Sequence, residues 1–584
     1  MDHAPYLLAE QLERDLGDPE GPGVVFSHAN SLALDETEEF PAAICRRLEE
    51  LGVHEYYVPA QYGGRLETYE QVLQLIRTVA RRDLTVAIGH GKTYLGGVCV
   101  WVAGSPEQAT ALGADIKAGL PVSLGLTERA HGSDLLAGEV QGVPTEDGGW
   151  LVSGEKWLIN NATRGSLLSL LTRTDPAAGP RAFSVLLVDK RAIPQESYRH
   201  LPKIHTHGIR GADISGIAFT EAPVAGSAVV GEAGSGIEIV LKALQLTRTM
   251  CAALSLGAAD HALAIVLDFV EERELYGRKL VELPQARHLL AGAAADVLLD
   301  EALALTASRG VHTLTEELSV TAAVTKYLVP TGTEGVIADL TKLLGARAFL
   351  KDVHARGMFQ KVDRDHRIVG LFDGNTLVNL SSLVSQFRSL VRGYRRGTGG
   401  LDGAGAAYDL ARPLPPLAPE RLSLVARYGS GVIASLPGSV EALRAEADAN
   451  PAYKPALAHA ERLVAAVARV HEAMEAHQNA LTDVPPEAFD VARSYALCFA
   501  AAAALGIWRH NHRAAEQGRT AGLWQDGLWL RATLARVLGR LGEPTDDREA
   551  AEALLEQVRA VRGEGLLPSL LPLALKHNDE GTSC

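Results

Sequence analysis

The chain has 584 residues, 47% of them hydrophobic and 22% charged, a composition that excludes a disordered chain and a length that exceeds one compact core. Roughly two to four domains are expected. With 56 basic and 71 acidic side chains the formal charge is −15, which argues against nucleic acid or an anionic membrane as partner; basic residues cluster only at Arg388, Arg392, Arg395 and Arg396, readable as a solvated helix end or a local anion site.

The N-terminal stretch MDHAPYLLAEQLERDLGD is acidic and has no long apolar core, so it does not read as a signal peptide. Helical spacing (Ala43, Leu48 and Leu51, then Val72, Leu73, Leu75, Ile76 and Val79) predicts an N-terminal helical domain over 1–120. Over 121–235 the period shortens. Trp150 to Val152 and Lys156 to Ile159, around Ser153-Gly154-Glu155, predict a hairpin, and Ser166 to Thr174 and Ala182 to Val188 have strand length. Helical spacing returns over 236–396 (Ile237, Val240, Leu241, Leu244; Leu263, Val266, Phe269, Val270). The order implies an α+β chain with a β-barrel or sandwich between two helical domains.

Residues 397–420 are rich in glycine and then proline, the composition of a linker. An additional helical domain is expected over 421–584. There Leu457, Ala460, Leu463, Val464, Val467, Val470 and Met474 share one face. The longest apolar run, Tyr495 to Trp508, is shorter than the ~20 residues of a membrane span and reads as a buried helix; no transmembrane segment is expected. The five cysteines (Cys45, Cys99, Cys251, Cys498, Cys584) form no CxxC pair and no metal-type spacing, which predicts no metal site and fits a reducing cytoplasm.

Chemistry concentrates in short stretches. The loop Leu126-Thr127-Glu128-Arg129-Ala130-His131-Gly132-Ser133-Asp134 offers hydroxyls and backbone N–H groups to a polar heterocycle or a phosphate, and is equally an ordinary loop. The aromatic of Glu155-Lys156-Trp157-Leu158-Ile159-Asn160-Asn161 can pack on a flat cofactor or fill a core. Gly231-Glu232-Ala233-Gly234-Ser235-Gly236 has the wrong spacing for a dinucleotide fingerprint and reads as a helix entry. Arg273-Glu274-Leu275-Tyr276-Gly277 is a pyrophosphate grip or a charged helix end. LFDGNT (Leu371 to Thr376), behind the charged run DRDHR, is a candidate general base on a turn, or only a turn.

Singly these are weak. In order, TERAHGSD, SGEKWLINNA, HGIRGADISGIAFTEAPV, RELYGRKL and DRDHRIVGLFDGNT resemble the succession in acyl-CoA dehydrogenases, over roughly residues 30 to 390. The resemblance implies an N-terminal helical domain, a middle β-domain and a C-terminal four-helix bundle with FAD between them. It also implies a homodimer or homotetramer, because each FAD is partly bound by the neighbouring subunit. The region after the linker resembles the extra domain of longer members in size and position.

Carried over residue by residue, Thr127, Gly132 and Ser133 match the loop that contacts flavin and thioester, with Leu124 and Leu126 leading into it, while Arg129, Ala130 and His131 depart from it. Leu158 stands where a tryptophan usually packs near the flavin, with Ile159 beside it and Asn160 at the polar position. Arg273, Tyr276 and Gln285 match the element that reaches the partner subunit's FAD. Lys342, Gly345 and Ala346 occupy a glycine-rich segment in which two glycines have become alanine, and Lys342 or Arg347 is a candidate to compensate by charge. Asn375 stands at the usual threonine. Arg248 matches a helix arginine near the acyl pocket and, with Ser133, Phe372 and Gly374, is an expected substrate contact. Thr247 occupies the alternative base position of some members, so that position carries no carboxylate here.

Asp373 aligns with the family's catalytic glutamate and is one methylene shorter. The implied reaction is α,β-dehydrogenation of an acyl thioester, on CoA or an acyl carrier protein: a carboxylate takes the α-proton and hydride passes to flavin N5, with electron-transfer flavoprotein or oxygen as the acceptor. Because nitroalkane oxidases resemble this family and use an aspartate base, a flavin oxidase or monooxygenase is the alternative, and a non-catalytic scaffold the third reading.

Overall fold

The computed structural model describes residues 2–177, 179–478 and 483–575; Cys584 lies outside them. Six helices come first: α1 (Ala4–Leu16), α2 (His28–Thr37), α3 (Ala42–Glu50), α4 (Tyr69–Arg82), α5 (Leu84–Ala103) and α6 (Pro106–Lys117). Their ends follow from local chemistry. Thr68 and Gln71 cap α4 reciprocally, and Ser105 and Gln108 do the same for α6, which has Pro106 in its first turn. Asp83, in extended backbone, ends α4 and starts α5 by accepting from the N–H groups of Thr85 at 2.7 Å and Val86 at 3.3 Å.

The middle unit is one eight-stranded sheet: β1 (Val122–Gly125), β2 (Gln141–Pro144), β3 (Trp150–Asn160), β4 (Leu167–Arg173), β5 (Phe183–Asp189), β6 (Tyr198–Leu201), β7 (Ile214–Val224) and β8 (Val229–Val230). The order is β6-β7-β3-β2-β4-β5-β8, with β1 beside β4, around a small apolar core including Val140, Val152, Leu170 and Phe219. The predicted hairpin is not there. Residues 150–160 form the single strand β3, pairing antiparallel with β7. Gly154, at φ 126, marks a bulge rather than a turn; a Cβ there would lie 2.9 Å from the Val140 backbone.

A bundle follows, with α7 (Gly236–Glu272), a two-stranded ribbon β9 (Glu274–Leu275) and β10 (Arg278–Lys279), α8 (Pro284–Thr313), α9 (Leu318–Leu344), α10 (Met358–His366), α11 (Thr376–Val384) and α12 (Phe387–Arg396). Additional helices complete the chain: α13 (Leu401–Tyr408), α14 (Gly431–Ala434), α15 (Leu436–Ala449), α16 (Lys454–His477), α17 (Pro486–Ala515), α18 (Ala521–Trp524), α19 (Leu528–Arg540) and α20 (Arg548–Gly563). α7 and α17 are long and apolar enough to cross a membrane, but bury 89% and 83% of their apolar windows inside the fold, as core helices do. The helical, β, helical order with extra C-terminal helices is the architecture expected from the sequence.

The segment over 397–420 is not a free linker. α13 lies within it, with Ala404, Ala407 and Tyr408 buried. Buried Arg309 of α8 donates to the carbonyls of Ala406, Ala407, Asp409 and Arg412, at 2.6 to 3.1 Å. The glycines serve close packing: a Cβ on Gly403 would lie 2.4 Å from the Thr313 carbonyl oxygen. Composition signals flexibility only when nothing covers the backbone.

One buried ionic cluster ties the helical units together. Arg77 of α4 donates to Asp260 of α7 at 2.7 and 3.0 Å and to Glu301 of α8 at 2.7 Å. Glu301 also accepts from the Tyr6 hydroxyl at 2.6 Å, from Ser569, and from the Leu570 N–H at 2.9 Å. The first helix and the last described residues thus meet at one carboxylate.

Of the histidines that burial pushes down, His90 and His366 fall to about 3 and His312 to about 4. Each stays neutral in the fold, whereas the unfolded chain takes up its proton below about pH 6.5. Their stabilisation is therefore intact above that pH and is lost as the pH falls, by about 2 kcal/mol per histidine near pH 5. His366, whose Nε2 meets the Ser255 hydroxyl at 2.9 Å, provides the check. His366→Gln is expected to flatten the fall in urea midpoint between about pH 7 and pH 5; an unchanged slope would show that His366 does not contribute.

Candidate functional site

The turn carrying Asp373 joins α10 to α11. Asp373 has φ 55 and Gly374 φ 89, so two successive residues occupy left-handed backbone. Aspartate is among the few non-glycine residues that tolerate this region. Gly374 suits its position: its φ is one that side chains rarely adopt, and a Cβ there would lie 2.7 Å from Arg248 Nη2 and push that guanidinium aside. Arg248 Nε donates to the Asp373 carbonyl at 2.9 Å, and Asn379 Nδ2 to the carbonyls of Gly374 at 2.8 Å and Asn375 at 2.9 Å. The Asn375 side chain caps α11, accepting from the Val378 N–H at 3.0 Å. Its oxygen is therefore committed to the helix rather than free for a cofactor.

Asp373 opens onto a cleft between α4, α5 and α7 whose empty space, open solvent included, is about 430 Å³. Most of its wall is apolar, including Val72, Ile76, Ile88, Leu95, Met250 and Leu254. Among the described residues lining it, Asp373 is the one carboxylate. Thr247 lines it too, so the alternative base position faces the same space with a hydroxyl. Cys251 Sγ lies 3.8 Å from Asp373 Oδ2, and burial pushes its thiol up to about 11, leaving it neutral.

Two cations surround the turn that the sequence reading did not single out. Lys92 of α5 places Nζ 3.5 Å from Asp373 Oδ1 and 3.7 Å from the centre of the Phe372 ring. Lys326 of α9 donates to the Val369 carbonyl and lies 4.9 Å from the centre of the same ring; burial lowers its pKa. The signal was present in the sequence, since each is a lone lysine inside an apolar helical run, LTVAIGHGKTYLGGVCV and LSVTAAVTKYLV.

The motifs are joined by buried polar contacts. Glu128 of the first loop meets Lys156 of β3 at 2.7 Å and accepts from the N–H groups of Glu139 at 2.7 Å and Val140 at 3.1 Å. Burial alone would raise Glu128, but Lys156 and these hydrogen bonds hold it below the usual range. The run DRDHR is solvated only in part: Asp363 and Arg367 pair at the surface, while Asp365 and His366 are buried. Asp365 pairs with Lys361 at 2.6 Å and accepts from the Ile209 N–H at 2.6 Å, and Arg364 donates to the His207 carbonyl at 3.1 Å. It anchors the loop 207–213 beneath the site.

The expected cofactor contacts fall into two separate groups. Thr127, Gly132 and Ser133 lie on a surface loop at the mouth of β3, with Leu124 and Leu126 half-buried beside it. Leu158, at φ 56 on a bulge, is 40% exposed. Asn160 Oδ1 and Trp157 Nε1 are buried without a partner among the described residues. Ile159 points into the β-core at 2% exposure, so only its backbone faces this surface. The second group, Arg273, Tyr276, Gln285, Lys342, Gly345 and Ala346, lies where α7 and α9 end and α8 begins. Tyr276 and Phe349 there are 94% and 89% exposed. Arg273 is 25 residues along α7 from Arg248, roughly 37 Å at helical rise. The structure does not bring the two groups together within one chain. Lys342 pairs with Asp339 at 2.6 Å, and Arg347 covers the Phe269 ring, so neither cation is unengaged.

Models of the acyl-CoA dehydrogenase N-terminal, middle and C-terminal domains match residues 27–119, 123–222 and 234–386. The chain belongs to the acyl-CoA dehydrogenase family. These enzymes are FAD-dependent oxidoreductases, and the chain is similar to the probable acyl-CoA dehydrogenase FadE25 of Mycobacterium tuberculosis, 25% identical over 360 residues, covering 62% of this chain and 90% of that one. Among solved structures, an acyl-CoA dehydrogenase complexed with FAD from Bacillus anthracis aligns over 96% of this chain and 88% of its own, with TM-score 0.66 and 18% identity. The prolyl acyl carrier protein oxidase AnaB aligns over 65% and 97%, with TM-score 0.58 and 15% identity. At these identities the structures speak for the fold.

The residues present fit the family's cofactor at the flavin end. An apolar Leu158 on an exposed bulge, the unpartnered Asn160 Oδ1 and Trp157 Nε1, and an exposed Gly132-Ser133 tip suit a flat heterocycle with polar edges. In the second group, Gly345 keeps a positive φ with open space where a Cβ would project.

Proposed function

We propose that this protein is an FAD-dependent dehydrogenase of an acyl thioester, with Asp373 as the base that takes the α-proton. The supporting observation is that Asp373 is the one carboxylate among the described residues lining an apolar cavity, in a chain of this family. Arg248 holds the Asp373 carbonyl and Asn379 the next two, so the shorter side chain is presented by a fixed backbone. The apolar walls exclude water, which strengthens every electrostatic interaction inside. Bound FAD would supply the hydride acceptor at the β-carbon. Thr127, Gly132, Ser133, Leu158 and Asn160 are assigned to its ring. Arg273, Tyr276, Gln285, Lys342, Gly345 and Ala346 are assigned to the FAD of a neighbouring subunit, which makes the working enzyme a homodimer or a larger homo-oligomer. Ser133, Arg248, Phe372 and Gly374 face the thioester.

A flavin oxidase is the second reading, favoured by the aspartate itself and by the fold relative that is an acyl carrier protein oxidase. Anaerobic titration of the FAD-loaded protein with acyl-CoA thioesters and nitroalkanes, followed by admission of oxygen, separates them. Bleaching by a thioester with slow reoxidation supports the dehydrogenase, and rapid peroxide release supports the oxidase. A protein that takes up no FAD contradicts both.

A further inference from the structure

Lys92 is the one basic side chain among the described residues lining the cavity. The neighbouring cations have other work: Lys326 holds the Val369 carbonyl and Arg248 the Asp373 carbonyl. Glu334, half-buried and lying against Gly370, feels Lys326 and does not line the cavity. Lys92 reaches Asp373 only at 3.5 Å, well beyond the ~2.7–2.9 Å of a strong charge-assisted bond. An ammonium carries three donors, and this one uses at most one of them. Its side chain is 12% exposed, among Ile88, Leu95 and Phe372. An ammonium placed in an apolar cavity is costly unless an anion meets it.

On the proposed thioester dehydrogenation, which this inference deepens, an ammonium against the base competes with the α-proton for the same carboxylate oxygen. A second anion entering the cavity would draw Lys92 away and leave that oxygen free. We infer that the acyl group of the substrate ends in a carboxylate held by Lys92, so that the substrate is the thioester of a short dicarboxylic acid. Short follows from position: Lys92 stands beside the base, and Tyr57, Val72 and Ile76 wall the space around it. An aminoacyl group would set a second cation against Lys92 and is disfavoured.

The test is anaerobic calorimetric titration of the FAD-loaded full chain with succinyl-CoA and glutaryl-CoA. Each is compared with the neutral analogue in which an isopropyl group replaces the carboxylate. The wild type is expected to bind the better diacid ester about 10-fold to 100-fold more tightly than its neutral analogue. Lys92→Met should abolish that preference while holding the neutral ester within a few-fold, and Lys92→Arg should retain it. Two results would overturn the inference and leave the thioester reading standing: a wild type that binds the neutral esters as tightly, or a Lys92→Met variant that weakens both kinds alike. Binding of none of the four esters overturns the thioester reading and this inference with it.

Discussion

Asp373→Asn is expected to keep its FAD and to lose thioester-dependent flavin reduction by about 10²-fold to 10⁴-fold, the usual contribution of a positioned general base. Asparagine matches aspartate in shape and tolerates the same left-handed backbone, so the turn, the Arg248 bond to its carbonyl and the Gly374 contact should survive. What disappears is the proton acceptor. Since no other described carboxylate lines the cavity, rescue by a neighbour is not expected. Thr247 and Cys251 are neutral, and the flanking cations cannot accept a proton. Flavin content by absorbance and single-turnover reduction under anaerobic conditions check both halves. Undiminished reduction would remove Asp373 from the chemistry.

Arg77→Leu is expected to be the most damaging single change to stability. Arg77 is fully buried and supplies the positive charge between Asp260 and Glu301. Removing one partner of a buried ionic cluster leaves the others desolvated and unpaired, at a cost on the order of 3–5 kcal/mol. The damage should also spread, because Glu301 is where Tyr6 and the Ser569-Leu570 stretch converge. Urea unfolding followed by both far-UV and tryptophan signals checks this, with a clearly lowered midpoint expected. A midpoint within error of wild type would show that the cluster contributes no net stability.

How much of this was legible in the sequence depends on the range of the interaction. Helical and β periods are local, and they gave the helical, β, helical order and the extra C-terminal helices. Spacing found part of the α16 face (Ala460, Leu463, Val467 and Met474 are buried), and the length of the run Tyr495 to Trp508 marked the buried α17. Two local signals misled for one physical reason. Gly154 was read as a turn and 397–420 as a linker, yet in both places glycine serves close approach of backbones. The contacts of the charged run DRDHR could not be read locally because its partners, Ile209, His207 and Thr85 among them, are far away in sequence. Lys92 lies 281 positions from Asp373. Its charge stands alone in an apolar helical run, a pattern that went unread, and only the fold shows which carboxylate it faces. The separation of Arg273 and its companions from the loop of Thr127 and Ser133 likewise emerges only from the length and direction of α7.

In the proposed reaction Asp373 removes the α-proton of a thioester bound in this cavity. Anaerobic flavin reduction with substrate deuterated at the α-carbon, run on wild type and Asp373→Asn, decides whether it does. The expected result is a bleaching rate in wild type that slows on α-deuteration, and no comparable rate in the variant. Bleaching that ignores the α-deuterium and survives in Asp373→Asn would contradict the assignment.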